Sequence, residues 1–293
     1  MANTNDVWVE LNGGLGNQLF QYAFAYEIAM NYKSNLYVDC RNMNYTQSRL
    51  GIRYYNLSGK FVNTNRRLMK FSSKVIGEKI PIRRPKKEIQ ILKSNNEVSS
   101  GFQNTYLPNY YFQGYFQSRD VAKQFLNSIV ELKLRNYSRI YKTLKKEMVF
   151  NDVIIMHVRR GDYRLNENWG LLGCQYYIDA LNLLRKRNSE HIWIFSDEID
   201  LVTKEFGVND NFVLQTSEDK ITWVDESLSS AETLQLMSHS RRIIISNSTF
   251  SLWAAYQNIN AKVVAPKEFH PGEENESKLL LSNWDTINSH FIV

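Results

Sequence analysis

The apolar run Val153-Ile154-Ile155-Met156 passes directly into His157-Val158-Arg159-Arg160-Gly161-Asp162-Tyr163. An apolar run of this length, closing on charge and a glycine, predicts a buried strand that stops at a loop. A strand apolar at consecutive positions needs cover on both faces, which points to a parallel sheet between helices. The loop then presents two guanidinium groups, an imidazole, a carboxylate and a phenol at the strand's carboxyl end. Ligands of open α/β sheets bind at that end. Paired arginines there suit a phosphate or diphosphate, because guanidinium is a rigid, permanently charged fork of donors.

The rest of the chain alternates in the same manner. A strand over 7–11 leads through Asn12-Gly13-Gly14-Leu15-Gly16 into a helix from Asn17, with Leu19, Ala23, Tyr26 and Met30 spaced for one buried face. A strand follows over 36–38. Between Cys40 and residue 100 the sequence is polar and irregular. Beyond it come a strand over 110–116, a helix carrying Val121, Phe125 and Ile129, and a helix over 138–148. In the second half, strands over 153–158, 192–195, 243–245 and 263–265 alternate with helices over 176–187, 201–206, 231–238 and 250–258. A short apolar piece lies at 212–214, and a terminal segment ends at Trp284. This order implies two α/β domains, 1–150 and 151–293, with mainly parallel sheets and a ligand cleft between them.

Composition narrows the class. A chain of 293 residues, 43% hydrophobic and 23% charged, is globular rather than disordered. Its two cysteines, Cys40 and Cys174, form neither a disulfide framework nor a CxxC metal pattern, and read as small apolar fillers in a reducing compartment. The first residues lack the basic and apolar regions of a secretory signal, and no apolar run is long enough to cross a bilayer. A cytoplasmic location is the expectation.

The net charge of +6 comes largely from Arg66, Arg67, Lys70, Lys74, Lys79, Arg83, Arg84, Lys86, Lys87 and Lys93 against Glu78 and Glu88. A solvated surface explains such a run. So does contact with anionic lipid headgroups or a lipid-linked diphosphate. No nucleic-acid motif accompanies it, so no nucleic-acid partner is expected.

Two further loops carry chemistry. Gly14-x-Gly16 between strand and helix has the start of a dinucleotide fingerprint, with Asp39 near the ribose-binding position. The third glycine position is Leu19, however, which argues against a nicotinamide or flavin site. Asn17 and Gln18 suit hydroxyl groups near a helix start better than bare pyrophosphate. In Ser246-Asn247-Ser248-Thr249-Phe250-Ser251, four hydroxyls and an amide gather where a helix begins. One would suffice as an N-cap. The surplus points to a second diphosphate or nucleotide contact.

Together these residues resemble a family. Gly-Gly-Leu-Gly-Asn-Gln-Leu-Phe-Gln-Tyr-Ala at 13–23, His-Val-Arg-Arg-Gly-Asp-Tyr at 157–163 and Ser-Asn-Ser-Thr-Phe-Ser-Leu-Trp-Ala-Ala at 246–255 resemble the α-1,2-fucosyltransferases. Supporting matches are Gln-Gly-Tyr-Phe-Gln-Ser at 113–118, Phe-Ser-Asp at 195–197 and Glu-Thr-Leu-Gln-Leu-Met-Ser at 232–238. The matches run in order over residues 7–265. Leu252 and Glu198 are small departures from the pattern.

The resemblance implies a GT-B-like fold of two facing Rossmann-like α/β domains with the active site in the cleft. The amino-terminal domain would take the acceptor and the carboxyl-terminal one the donor. It implies GDP-β-L-fucose as donor, inverting transfer to the 2-hydroxyl of a terminal galactose, and no obligatory metal or other cofactor; the sequence has no literal Asp-x-Asp. The absence of a membrane anchor suggests a bacterial enzyme of surface-polysaccharide or O-antigen synthesis, peripheral at the inner membrane, with an acceptor that is free or lipid-linked.

By the same resemblance Arg159 meets the leaving diphosphate, with Arg160 beside it in a more structural position. Ser248 and Thr249 join the diphosphate with Asn247 and Phe250, while Asp197 and Glu232 hold guanine or ribose, unless they cap helices. Gly14, Gly16, Asn17 and Gln18 would hold fucose or acceptor hydroxyls. His157 either donates to phosphate or buttresses the loop. Asp162 is the nominated base, or else it orients Arg159. A transferase using another nucleotide sugar, and a non-catalytic nucleotide- or glycan-binding protein, remain as alternatives.

Overall fold

The computed structural model describes residues 6–44, 50–62, 89–94, 109–208, 219–224, 227–273 and 278–292. The chain divides into two compact units, Met1–Lys133 and Leu134–Val293. In the first, strands β1 (Asp6–Glu10), β2 (Asn35–Asp39), β3 (Lys60–Val62), β4 (Ile89–Ser94) and β5 (Asn109–Gly114) form a sheet in the order β3-β2-β1-β5-β4. Every pairing in it is parallel. Helices α1 (Leu15–Asn31) and α2 (Arg119–Ser128) belong to this unit. Val7, Val9, Leu19, Phe20, Phe112 and Phe125 are wholly buried. Phe24 of α1 stacks on Phe116 at 4.2 Å and meets Phe112 edge-on at 5.1 Å, fastening the helix to β5 and the turn after it.

Helix α1 differs from the expected single buried stripe. Leu19 and Ala23 are buried, but Met30 is 57% exposed. The cause is length: a 17-residue helix runs about 25 Å, whereas a five-residue strand spans about 17 Å. The last turn therefore overhangs the sheet. Strand β5 also ends earlier than expected, because Gly114 and Phe116 have φ of 147° and 52° and turn the chain away. Strands β3 and β4 fall where no periodic signal was legible; both are sheet edges, and β3 has only three residues.

The second unit opens with α3 (Arg139–Asn151) and continues β6 (Ile154–Val158), β7 (Leu171–Leu172), α4 (Cys174–Leu184), β8 (His191–Ser196), α5 (Ile199–Val208), β9 (Lys220–Trp223), α6 (Ser230–Met237), β10 (Arg242–Ile244), α7 (Thr249–Tyr256), β11 (Lys262–Pro266), β12 (Asp285–Ile287) and β13 (Phe291–Ile292). Its main sheet has the order β12-β11-β10-β6-β8-β9, again parallel throughout. β6 is buried at all five positions, as the uninterrupted apolar run requires. Tyr176, Tyr177, Leu181 and Leu184 of α4 pack with Ile154, Met156, Ile192 and Ile194 in one core.

The compact units divide at 133/134 rather than at the expected 150/151. Helix α3 was expected to end the first domain, yet it belongs to the second unit. Its Tyr141 and Met148 are buried, Tyr141 Oη lies 2.9 Å from His239 Nε2, and Ser138 N donates to Glu232 Oε1 of α6 at 2.7 Å. Such tertiary partners leave no mark in local sequence. Most of the basic stretch, 66–88, and the apolar piece at 212–214 lie outside the described residues. No helix among the described residues is long and apolar enough to cross a membrane.

Candidate functional site

Strand order locates the site. In the second unit β6 lies between β8 and β10, and later strands extend the sheet on either side of the β6–β10 pair. Chain direction across the sheet reverses there, which opens a crevice at the carboxyl edge of a doubly wound sheet. The loops leaving β6, β8 and β10 are tied together at that edge. Tyr163 Oη donates to Asn247 O at 2.8 Å, His157 Nδ1 lies 2.7 Å from Ser246 Oγ, and Arg160 N donates to Asp197 Oδ1 at 2.9 Å.

The two arginines part company. Arg159 is partly exposed at this edge. Its Nη1 meets Asp197 Oδ2 at 2.8 Å, its Nη2 meets Asp162 Oδ1 at 2.5 Å, and its guanidinium lies 5.3 Å from the Tyr163 ring centre. Its Nε has no hydrogen-bond partner among the described residues. Arg160 is fully buried and turned inward. Its Nε pairs with Glu205 Oε2 at 2.7 Å, and its Nη1 donates to the carbonyls of Arg159 and Leu172. Arg160, expected beside Arg159 in a more structural position, holds the loop in shape, and of the two arginines Arg159 is the one that presents its charge at the edge. Glu205, the partner that makes this possible, sits 45 residues later on α5, with no sequence signal to announce it.

Asp197 was expected at guanine or ribose, or as a helix cap. Its carboxylate braces the loop after β6, accepting from Arg160 N and pairing with Arg159. The contact explains Gly161, because a Cβ there would overlap Asp197 Oδ2. Asp162 pairs with Arg159 and is 53% exposed in its side chain, the more solvent-facing of the two carboxylates.

His157 is buried beneath the loop, hydrogen-bonded to Ser246 and stacked on Phe250 with ring centres 5.5 Å apart. Burial first, and the nearby Arg159 charge second, bring its pKa down to about 3. It is a neutral support in this structure rather than a proton carrier at the edge.

The hydroxyl-rich loop is similarly occupied. Asn247 Nδ2 lies 2.9 Å from the carbonyl oxygens of Trp169, Gly170 and Phe269. Ser248 Oγ caps α7 by accepting from Phe250 N, and Ser251 Oγ donates to the carbonyls of Ser246 and Ser248. Thr249 and Phe250 form the first, half-buried turn of α7. Glu232 takes the helix-capping role: with Ser229 it forms a capping box on α6 while also accepting from Ser138 N. Burial alone would raise its pKa, but the hydrogen bonds from Ser138 and Ser229 outweigh that and hold the carboxyl below its usual value.

In the first unit, Gly13 at φ 73° shapes the turn after β1, and Gly14 is the N-cap of α1 with no side-chain cap. Gly14 is exposed, Gly16 is buried, and Asn17 Oδ1 accepts from Gln117 Nε2 at 2.9 Å. Gln18 is wholly buried; it donates to Gly13 O and accepts from Ile52 N, so it fixes the turn from within. Gln21 does likewise, joining Asn12 N to Gly114 O. Asp39 is engaged by Arg41 and by Tyr111 Oη at 2.8 Å. These bonds overcome its burial and keep it below the ordinary carboxylate pKa.

The sequence pattern did not mark Trp169, whose ring lies 5.3 Å from Tyr163 and whose carbonyl is held by Asn247. Tyr163 was legible as a phenol in the loop, but not as the ring beneath Arg159. Among the described residues, no three His, Cys, Asp or Glu side chains are grouped as a bound metal ion would require.

Known proteins resemble this chain in sequence and in fold. The chain is 27% identical over 307 residues to the O-antigen biosynthesis glycosyltransferase WbnK of Escherichia coli, covering 94% of this chain and 98% of that one. It is 27% identical over 288 residues to an α-1,2-colitosyltransferase of Escherichia coli, covering 92% and 94%. In fold it is similar to the NodZ α-1,6-fucosyltransferase soaked with GDP-fucose, with a TM-score of 0.55 and 13% identity over 92% of this chain and 97% of that one. A second NodZ structure, from Bradyrhizobium, gives a TM-score of 0.54 at 14% identity over the same shares. These neighbours place the two parallel-sheet units in the GT-B-like class. The profile of Glycosyl transferase family 11 matches residues 6–288, and the chain belongs to that family.

Proposed function

We propose that this glycosyltransferase moves L-fucose from GDP-β-L-fucose to the 2-hydroxyl of a terminal galactose, with inversion, during assembly of a bacterial O-antigen or related surface polysaccharide. The observation that carries the reading is Arg159, a half-shielded guanidinium at the switch point of the second unit's sheet, with Nε unpartnered among the described residues. As the fucosyl C1–O bond breaks, negative charge grows on the β-phosphate, and a fixed guanidinium is complementary to it. Asp162, the more exposed partner of Arg159, is the carboxylate a diphosphate displaces. Freed from that pair, it takes the proton from the galactose 2-hydroxyl as the new C1–O bond forms. Arg159 fills the role a divalent ion has in metal-dependent transferases, so the reaction needs none.

Thr249 and the first turn of α7 complete the donor side, and Asn17 with the Gly14–Gly16 turn is assigned to sugar hydroxyls. The acceptor is a galactose-terminated, lipid-linked oligosaccharide met at the cytoplasmic face of the inner membrane. A second reading, transfer of colitose, is supported by the α-1,2-colitosyltransferase relative. The decisive assay offers labelled GDP-fucose and GDP-colitose to a panel of galactosides, with and without EDTA, and determines the product linkage. Fucosyl transfer to the galactose 2-hydroxyl, undiminished by EDTA, supports the reading. Reversible loss in EDTA, or exclusive use of another donor, overturns it.

A further inference from the structure

Helix α3 belongs wholly to the second unit and shows that unit only one face. Tyr141 and Met148 are buried on that face. On the opposite face Arg139, Thr143, Lys146 and Phe150 follow one another at steps of four, three and four residues, so they lie in a single exposed line. Lys142 and Val149 flank it on one side, Ile140 and Glu147 on the other. Ile140, Val149 and Phe150 are 46%, 64% and 89% exposed. Arg139, Lys142, Lys145 and Lys146 form no ion pair among the described residues.

Scattered exposed apolar side chains are ordinary. Here, however, Val149 and Phe150 lie beside the cations Arg139, Lys142 and Lys146, with a single acid, Glu147, and Ile140 at the far edge of the face. That face has no use for its apolar groups in water, and among the described residues its cations outnumber its one acid and form no ion pair. We propose that this face of α3 seats the protein on an anionic lipid bilayer. Arg139, Lys142 and Lys146 meet the headgroup phosphates, and Val149 and Phe150 enter the boundary beneath them. Cationic helices with a few bulky apolar residues bind the interfacial region in this way, by charge together with shallow burial. A protein partner would have to be both acidic and apolar over the same narrow strip, whereas a bilayer offers both properties at every point. The inference does not depend on which sugar is transferred.

The test is co-sedimentation of the full chain with vesicles of phosphatidylcholine alone, or with about one third phosphatidylglycerol. Wild type is expected on the anionic vesicles only, and to be released at about 0.5 M salt. Lys142→Glu/Lys146→Glu should lower the partition coefficient about tenfold or more, and Val149→Ser/Phe150→Ser several-fold. Unchanged thermal unfolding of both variants shows that they fold, and unchanged turnover with a soluble galactoside separates docking from catalysis. Because vesicle binding is read without turnover, failure of the donor assignment leaves this test intact. The inference is overturned if wild type ignores anionic vesicles, or if either double variant binds like wild type. It is also overturned if the apolar variant breaks an oligomer in sedimentation velocity while keeping vesicle affinity.

Discussion

Arg159 is held by Asp197, Asp162 and the Tyr163 ring, so its position owes as much to neighbours as to its own charge. Replacing it with alanine should lower turnover about a hundred- to thousandfold, with the circular dichroism spectrum preserved. Gly161→Ala tests the brace. The added methyl would push Asp197 away, and a displacement of about 1 Å in Arg159 is enough to lose about a hundredfold in rate. Steady-state kinetics should show that loss in kcat more than in KM. His157 makes a prediction about stability. Its pKa falls from 6.5 unfolded to about 3 folded, so the unfolded chain binds more protons between those values. Stability is full above 6.5 and declines as pH falls toward 3, by up to about 1.4 kcal/mol per pH unit. Urea unfolding from pH 7.5 to pH 5.5 should show this slope, and His157→Gln should flatten it. The family resemblance set Arg159 at the diphosphate and Arg160 in a more structural position, but the residues themselves gave no physical reason for the difference. That reason is Glu205, whose carboxylate draws Arg160 inward.

At the scale of elements, hydroxyls and carboxylates near helix starts hold much of the structure together. Of the residues in 246–251, Ser246 supports His157, Ser248 caps α7 and Ser251 bonds backward to two carbonyls. The surplus that suggested a ligand is largely consumed in building the turn. Glu232 joins two helices, through the α6 capping box and Ser138 N at the start of α3. Glu232→Ala should cost about 1–3 kcal/mol, measured as a lower midpoint in urea at neutral pH. Its lowered pKa carries the matching sign: the contribution is present above pH 4.5 and fades as pH falls through the folded value. Helix positions were legible within a few residues because buried faces repeat at the helical period. Edge strands such as β3 were not, because three residues establish no period.

For the whole molecule, the division at 133/134 is itself testable. A fragment of residues 134–293 should unfold cooperatively. One beginning at 151 lacks Tyr141, Met148 and the partner of Glu232, and should melt lower or fail to fold. Differential scanning calorimetry of the two fragments distinguishes a boundary before α3 from one after it. The amino-acid sequence alone determined two parallel α/β units, the position of the arginine loop at a strand end, and the family resemblance. All three rest on local apolar period and on short motifs that survive without knowledge of contacts. Tertiary structure decided which unit owns α3, what turns Arg160 inward, and which polar residues are already engaged. Those outcomes depend on partners far along the chain, such as Gln117 for Asn17 at 100 residues and Glu232 for Ser138 at 94. A hydrogen-bonding group acquires its role only when folding chooses its partner.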